Sequence, residues 1–199
     1  MKHPEEYRIE TDGMGDVTVP IEALYGASTA RAVSVFSYNG MEMPSSFIAA
    51  LARIKRACAQ ANVELGLLDK SLGQQIEKAA EEVLGNDLTP HFPVSVFQTG
   101  SGTSTNMNMN EVIANRCSQV ARKPIGSKEP VHPNDHVNLG QSSNDVIPSA
   151  LHISVAFDLR NHLVPSLESL SQAFLEKQHA FEKVIKLGRT HLMDAIPLT

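Results

Sequence analysis

The sequence predicts a mainly α protein carrying one short β-hairpin, on three observations. Apolar residues recur at three-to-four spacing from Ile48 to Leu65, the spacing that keeps one helix face buried. A helical pattern runs from Asp145 to about Lys186, broken only by Pro148 and Pro165. Residues 7–19 alternate weakly around Asp12-Gly13 and Gly15, as a hairpin does. At 199 residues the chain suits one domain or one and a half, and 42% hydrophobic residues allow a sizeable core. Aromatics are 5% and Trp is absent, so plentiful Ala and Leu must pack helices closely.

After the hairpin, Pro44-Ser45-Ser46 opens a helix with Ile48, Leu51, Ile54, Cys58, Ala61 and Leu65 on one face and Gly66 to end it. A second helix spans about Ser71 to Leu84, with Ile76, Ala79, Ala80 and Val83 inward and Gly85-Asn86 as its stop. His91 to Phe97 reads as extended, Thr105 to about Arg122 as helix, and Lys123 to Val131, with Pro124, Gly126 and Pro130, as a connector. In the long rod, Pro148 falls in the first turn, where a missing N–H costs little, whereas Pro165 kinks or breaks the helix. Leu159, Leu163, Leu167, Leu170 and Phe174 form its apolar stripe. A rod of that length needs antiparallel partners that do not follow before Thr199, so the chain is expected to be an amino-terminal portion holding the first element of a helical bundle.

Composition narrows the function. A net charge of −5 argues against nucleic-acid binding, which needs clustered positive charge. No apolar run reaches the length of a membrane span, and the first residues lack the apolar or Arg-rich character of a targeting segment, so a soluble cytoplasmic protein is expected. Cys58 and Cys117 sit in helical apolar contexts and read as buried reduced thiols.

Two polar stretches stand out. The first runs from Gln98 to Glu111 (QTGSGTSTNMNMNE); the second is His132 to Asn138 (HPNDHVN), followed by Gln141-Ser142-Ser143-Asn144-Asp145. Each is crowded with hydroxyls and amides, nearly free of Lys and Arg, and leads into a helix. Ser, Thr and Asn at a helix start aim donors and free N–H groups at one spot, where the helix dipole also favours negative charge. Two such cradles point to a small substrate with more than one carboxylate. The Gly100 and Gly102 spacing completes neither a phosphate loop nor a dinucleotide fingerprint. Asn106, Asn108 and Asn110 alternate on a helix, about 200° apart, and cannot share one face; Asn106 and Asn108 are expected nearer the site. His132 and His136 are four apart, but Pro133 and Asn134-Asp135 oppose helix there and no third ligand is near, so no metal is expected. A third segment, Gly188 to Ala195 (GRTHLMDA), sets the Thr190 hydroxyl beside His191, a pair suited to moving a proton near neutral pH. The histidines at 3, 91, 152, 162 and 179 read as solvated or capping groups.

These three stretches, with Arg8 to Gly15, Val19-Pro20 and Tyr25-Gly26 to Arg31-Ala32 read as an opening hairpin and turn, resemble the class II fumarase branch of the fumarase/aspartase superfamily over nearly the whole chain. The resemblance implies a helical amino-terminal domain, residues 1–141, followed by the start of the superfamily's central helical bundle, residues 142–199. It implies reversible anti hydration of fumarate to (S)-malate through an aci-carboxylate, a tricarboxylic acid cycle step, in a homotetramer whose sites draw on three subunits, with no cofactor. By the same resemblance Ser101, Thr103, Ser142, Ser143, Asn144 and Thr190 bind substrate. His191 handles the water, and His132, Asn134 and Asp135 line a second dicarboxylate site. The family's general base, a Ser on a glycine-rich loop, falls beyond residue 199, so these residues alone are expected to be inactive. Leu139-Gly140 replaces a larger polar residue and Ser of the family, which loosens that loop. Two rivals stand beside this reading: an aspartase-type ammonia lyase, and a non-catalytic fragment that keeps the fold. Aspartases usually carry Ala, Asn, Thr and Gln where this chain has Ser101, His132, Ser143 and His191, so all four positions favour fumarase.

Overall fold

The first turn is made by Asp12. In the computed structural model, which describes residues 6–37, 40–85, 88–189, 191–192 and 196–199, the Met14 N–H donates to Asp12 Oδ1 at 2.8 Å and Gly15 takes φ +102°. Strands β1 (Tyr7–Asp12) and β2 (Gly15–Pro20) pair antiparallel from Tyr7↔Pro20 to Asp12↔Gly15. Arg31 locks the turn, its guanidinium donating twice to the Asp12 carboxylate and once to the Gly15 carbonyl. That contact holds the Asp12 carboxyl below its usual range.

Residues 27–35, read from sequence as part of a turn, are a helix, α1 (Ala27–Val35). Its N-cap is Gly26, which has no side chain to cap with. The free N–H groups go instead to two carboxylates from elsewhere. Glu111 accepts from Gly26, Ser28 and Thr29 at 2.8, 2.9 and 3.2 Å, and Glu10 from Ala27 at 3.1 Å. A Cβ on Gly26 would meet Glu10 Oε2 at 2.7 Å, so the residue that permits this clasp is glycine.

Helix α2 (Ser45–Glu64) forms where expected, but its buried stripe is rotated. Leu51, Ala52, Lys55, Ala59 and Asn62 face inward, while Ala61 and Leu65 are exposed and Ile54 and Cys58 half-buried. Two polar residues on the inward face hid the stripe from an apolar count. Asp69 caps α3 (Lys70–Gly85), accepting from Ser71 and Leu72 N–H at 2.8 and 3.3 Å. Ile76, Ala79 and Ala80 are buried, and Gly73 brings the backbone against Val63 of α2, where a Cβ would stand 2.3 Å from Cγ2. A 3-10 turn, Thr89–His91, precedes the approach to the first cradle, and the His91 ring accepts the Leu24 N–H at 3.2 Å.

Helix α4 (Thr103–Val120) is the centre of the core: Met109, Val112, Ile113 and Cys117 are almost fully buried among α1, α2 and α3. It starts two residues before the expected Thr105, because Gly102, at φ +68°, turns the chain directly into it. Pro133–Val137 is one π-helical turn, where no helix was expected. Pro133 opens it, needing no N–H partner, and His132 caps it.

The expected rod is three pieces: α5 (Ser143–Asp158), a π-helical turn at Leu159–Leu163, and α6 (Val164–Phe181). Pro165 has no N–H for the Asn161 carbonyl, and the turn before it widens to π. Helix ends at Phe181, short of Lys186, which begins a two-residue strand, β3 (Lys186–Leu187), paired with β4 (Pro197–Leu198). Pro148 is the sixth residue of α5, not in its first turn, so the Asn144 carbonyl lacks an intrahelical donor. The chain divides into two compact units, Met1–Val155 and Ala156–Thr199. In the second, Leu159, Leu163, Leu167, Leu170 and Phe174 are each 45–67% exposed, an apolar stripe open to a partner. No helix among the described residues is long and apolar enough to cross a membrane. Both cysteines are free; Cys117 is buried, its thiol pushed up to about 12 by desolvation, and Cys58 is half-buried rather than buried.

Candidate active site

The first cradle is folded by Gln98. Its amide donates to Ser95 O at 2.8 Å and Thr105 Oγ1 at 2.7 Å, and accepts the Thr105 N–H at 3.0 Å, which pins the loop over the first turn of α4. The Ser101 and Thr103 hydroxyls stand 2.8 Å apart, one exposed and one half-buried, at that helix N-terminus.

The second cradle opens α5. Ser142 is its N-cap: the carbonyl accepts from Val146 N–H at 2.9 Å and the hydroxyl from Asn144 N–H at 3.3 Å. Ser143 is half-buried, and Ser142 and Asn144 are exposed.

The fold brings these two helix starts together. Asn106, one turn into α4, donates to Ser143 Oγ at 3.1 Å, and a Cβ on Gly102 would meet Ile147 of α5 at 2.9 Å. Two positive helix ends and the hydroxyls of Ser101, Thr103, Ser142 and Ser143 therefore occupy one region of the first unit, a setting that favours an anion.

Behind them lies a polar cluster that sequence reading missed. Lys55, 0% exposed, donates from Nζ to Asn138 Oδ1 at 3.0 Å and Gln141 Oε1 at 2.8 Å. Asn106 and Asn110 donate to the same Asn138 oxygen at 3.1 and 3.2 Å. Asn106 and Asn110 are the pair on the site side, four residues apart; Asn108, expected there, turns away and donates to His91 O at 2.8 Å. A lysine within a charged amphipathic helix carries no local mark of burial, and only the rotated stripe of α2 reveals it.

Burial pushes the Lys55 ammonium down from its ordinary 10.5 to about 7. Between those values the unfolded chain holds a proton that the native chain releases, so native stability rises with pH across that window. The melting temperature of wild type relative to Lys55→Met is therefore expected to climb from pH 7 to pH 10; a constant difference would contradict it.

His132 Nδ1 accepts the N–H groups of Asn134 and Asp135 at 3.2 and 3.1 Å, which commits its lone pair to the turn. His136 Nδ1 in turn accepts the His132 N–H at 2.9 Å. His132 and Asn134 line a pocket of about 140 Å³ with Lys128, Glu10, Asp12 and Glu111, three carboxylates against one ammonium. Asp135 is exposed and is not among the residues that line it. The described residues hold no cluster of three His, Cys, Asp or Glu side chains fit for a metal.

In the second unit His191 is exposed. Gly188 anchors the segment, its N–H donating to Ile196 O at 2.7 Å. Thr190 and Asp194 lie outside the described residues.

A family model described as Lyase matches residues 15–199, and the chain belongs to that family. Among curated relatives, it is 52% identical over 195 residues to the class II fumarate hydratase of Nitrosomonas europaea and 52% identical over 196 residues to that of Thermus aquaticus. In each case 98% of this chain covers 42% of the relative. The chain thus spans less than half the length of these relatives. The crystal structure of class II fumarase from Schistosoma mansoni matches with TM-score 0.87 and 43% identity, over 96% of this chain and 40% of that one. A fumarate lyase:delta crystallin structure from Brucella melitensis matches at TM-score 0.90 and 40% identity, over 96% and 45%.

Proposed function

We propose that the full-length protein carrying this chain is a class II fumarate hydratase, adding water reversibly and anti across fumarate to give (S)-malate. The observation that supports this most is the meeting of two helix N-termini, tied by Asn106 to Ser143 at 3.1 Å, with hydroxyl side chains on both. A proton beside a carboxylate is only weakly acidic, so its removal demands stabilisation of the aci-carboxylate dianion. Preorganised hydroxyls and N–H groups supply that without reorganising during the step. Ser101, Thr103, Ser142, Ser143, Asn144 and Thr190 hold the carboxylates, and His191 manages the proton of the departing or entering water.

His132, Asn134 and Asp135 form the second dicarboxylate site in this reading. Residues 1–141 make the amino-terminal domain and 142–199 begin the central bundle. The exposed stripe from Leu159 to Phe174 packs in a homotetramer, and the enzyme works in the cytoplasm.

Thr103→Ala in the full-length enzyme tests the cradle. Its hydroxyl contacts a carboxylate in ground and transition states alike, so steady-state kinetics are expected to show a higher KM and a lower kcat. Unchanged kinetics would remove Thr103 from the site.

A further inference from the structure

Lys55 is the only lysine or arginine fully buried among the described residues. A buried ammonium without a carboxylate partner is costly. Its two recorded bonds go to neutral amide oxygens, and neither amide belongs to the helix that carries it. Asn138 and Gln141 bracket the Leu139-Gly140 step, and Ser142-Ser143-Asn144 follows at once. Gly140 sits at φ +69°, with only Asn62 Oδ1 within 4 Å of where a Cβ would be, so packing around it does little to hold the loop.

The clamp has further members. The Asn62 amide donates to Leu139 O at 3.0 Å from the same face of α2. Asn138 Nδ2 donates to Gln141 O at 3.1 Å, and Gln141 Nε2 to Val137 O at 2.9 Å. Three donors, from Lys55, Asn106 and Asn110, converge on Asn138 Oδ1, so α2 and α4 grip the loop at one atom. Meanwhile Asn106 Oδ1 and Asn110 Oδ1, like Asn108 Oδ1 on the far side of α4, are buried with no hydrogen-bond partner among the described residues.

We propose that Lys55 is a positioning residue for the dicarboxylate site. Its Nζ, donating to Asn138 Oδ1 and Gln141 Oε1, fixes the loop that presents Ser142, Ser143 and Asn144 to the substrate. Lys55 touches no substrate itself; it acts through the loop, and through Asn138 on Asn106, which holds Ser143. The role rests on the fumarate hydratase reading above.

The test is steady-state kinetics of the full-length enzyme with malate, for wild type, Lys55→Met, Gln141→Leu and the double variant. Each single change is expected to raise KM about ten-fold, with kcat within about three-fold, because ground-state binding is what a loosened cradle loses. The double variant is expected to be no worse than the poorer single one, since both changes open the same clamp. A KM for Lys55→Met within about two-fold of wild type overturns the proposal, as do effects that multiply in the double variant. Where Lys55→Met does not fold, Gln141→Leu decides alone, its unchanged KM being the refuting result. A wild-type enzyme inert toward malate refutes the hydratase reading and takes this role with it, whereas an active wild type with unaffected variants refutes Lys55 only.

Discussion

His191→Asn in the full-length enzyme is expected to lower kcat for malate dehydration by ~10²–10⁴-fold while moving KM much less, the range typical of a lost general acid–base group. In the proposed function the imidazole takes up and returns a proton at the hydroxyl that leaves as water. Asparagine keeps the approximate size and one donor but cannot titrate, so it preserves contacts and removes proton handling. His191 is exposed, and the Gly188 N–H, three residues before it, donates to Ile196 O. Initial rates over a range of malate concentrations separate the two parameters. A large rise in KM with kcat intact would make His191 a binding group instead.

Glu111→Ala is expected to destabilise this chain by roughly 3–5 kcal/mol, several buried donors at ~1–3 kcal/mol each with partial relief from water. Its carboxylate accepts the N–H groups of Gly26, Ser28 and Thr29 and the Thr29 hydroxyl, the last at 2.6 Å. Burial pushes the carboxyl up from its ordinary range, against the pull of these four donors. Removal strands the N-terminus of α1, which has no side-chain cap of its own. Urea unfolding of wild type, Glu111→Ala and Glu111→Gln measures it, with the glutamine variant in between because it keeps one acceptor oxygen. A loss below about 1 kcal/mol for Glu111→Ala would show that the clasp is dispensable.

Much of this was legible in the residues, and what was missed shares a cause. Helix α3 and the hairpin carry their signals locally, in Ile76, Ala79 and Ala80, and in Asp12-Gly13. The starts of α4 and α5 were legible too, because Gln98 to Thr105 and Ser142 to Asn144 are capping sequences that close on themselves. Helix α1 was not, because its cap is Glu111, eighty-five residues from Gly26. The rotated face of α2 was hidden for the same reason. Lys55 and Asn62 face inward to satisfy a loop that arrives from residues 138–141, and no window on α2 contains that demand. Asn106 and Asn110 sort from Asn108 by the same distant partner, Asn138. The π-helical turn at Pro133–Val137 depends on the His132 ring as its cap, which a residue count opposing helix did not weigh.

In the proposed function the starts of α4 and α5 serve malate and fumarate and not aspartate. The measurement that tests it most directly is fumarate absorbance with purified full-length enzyme, supplied with malate in one assay and aspartate in another. The account predicts fumarate from malate and none from aspartate. Fumarate and ammonia released from aspartate, with malate untouched, would contradict it.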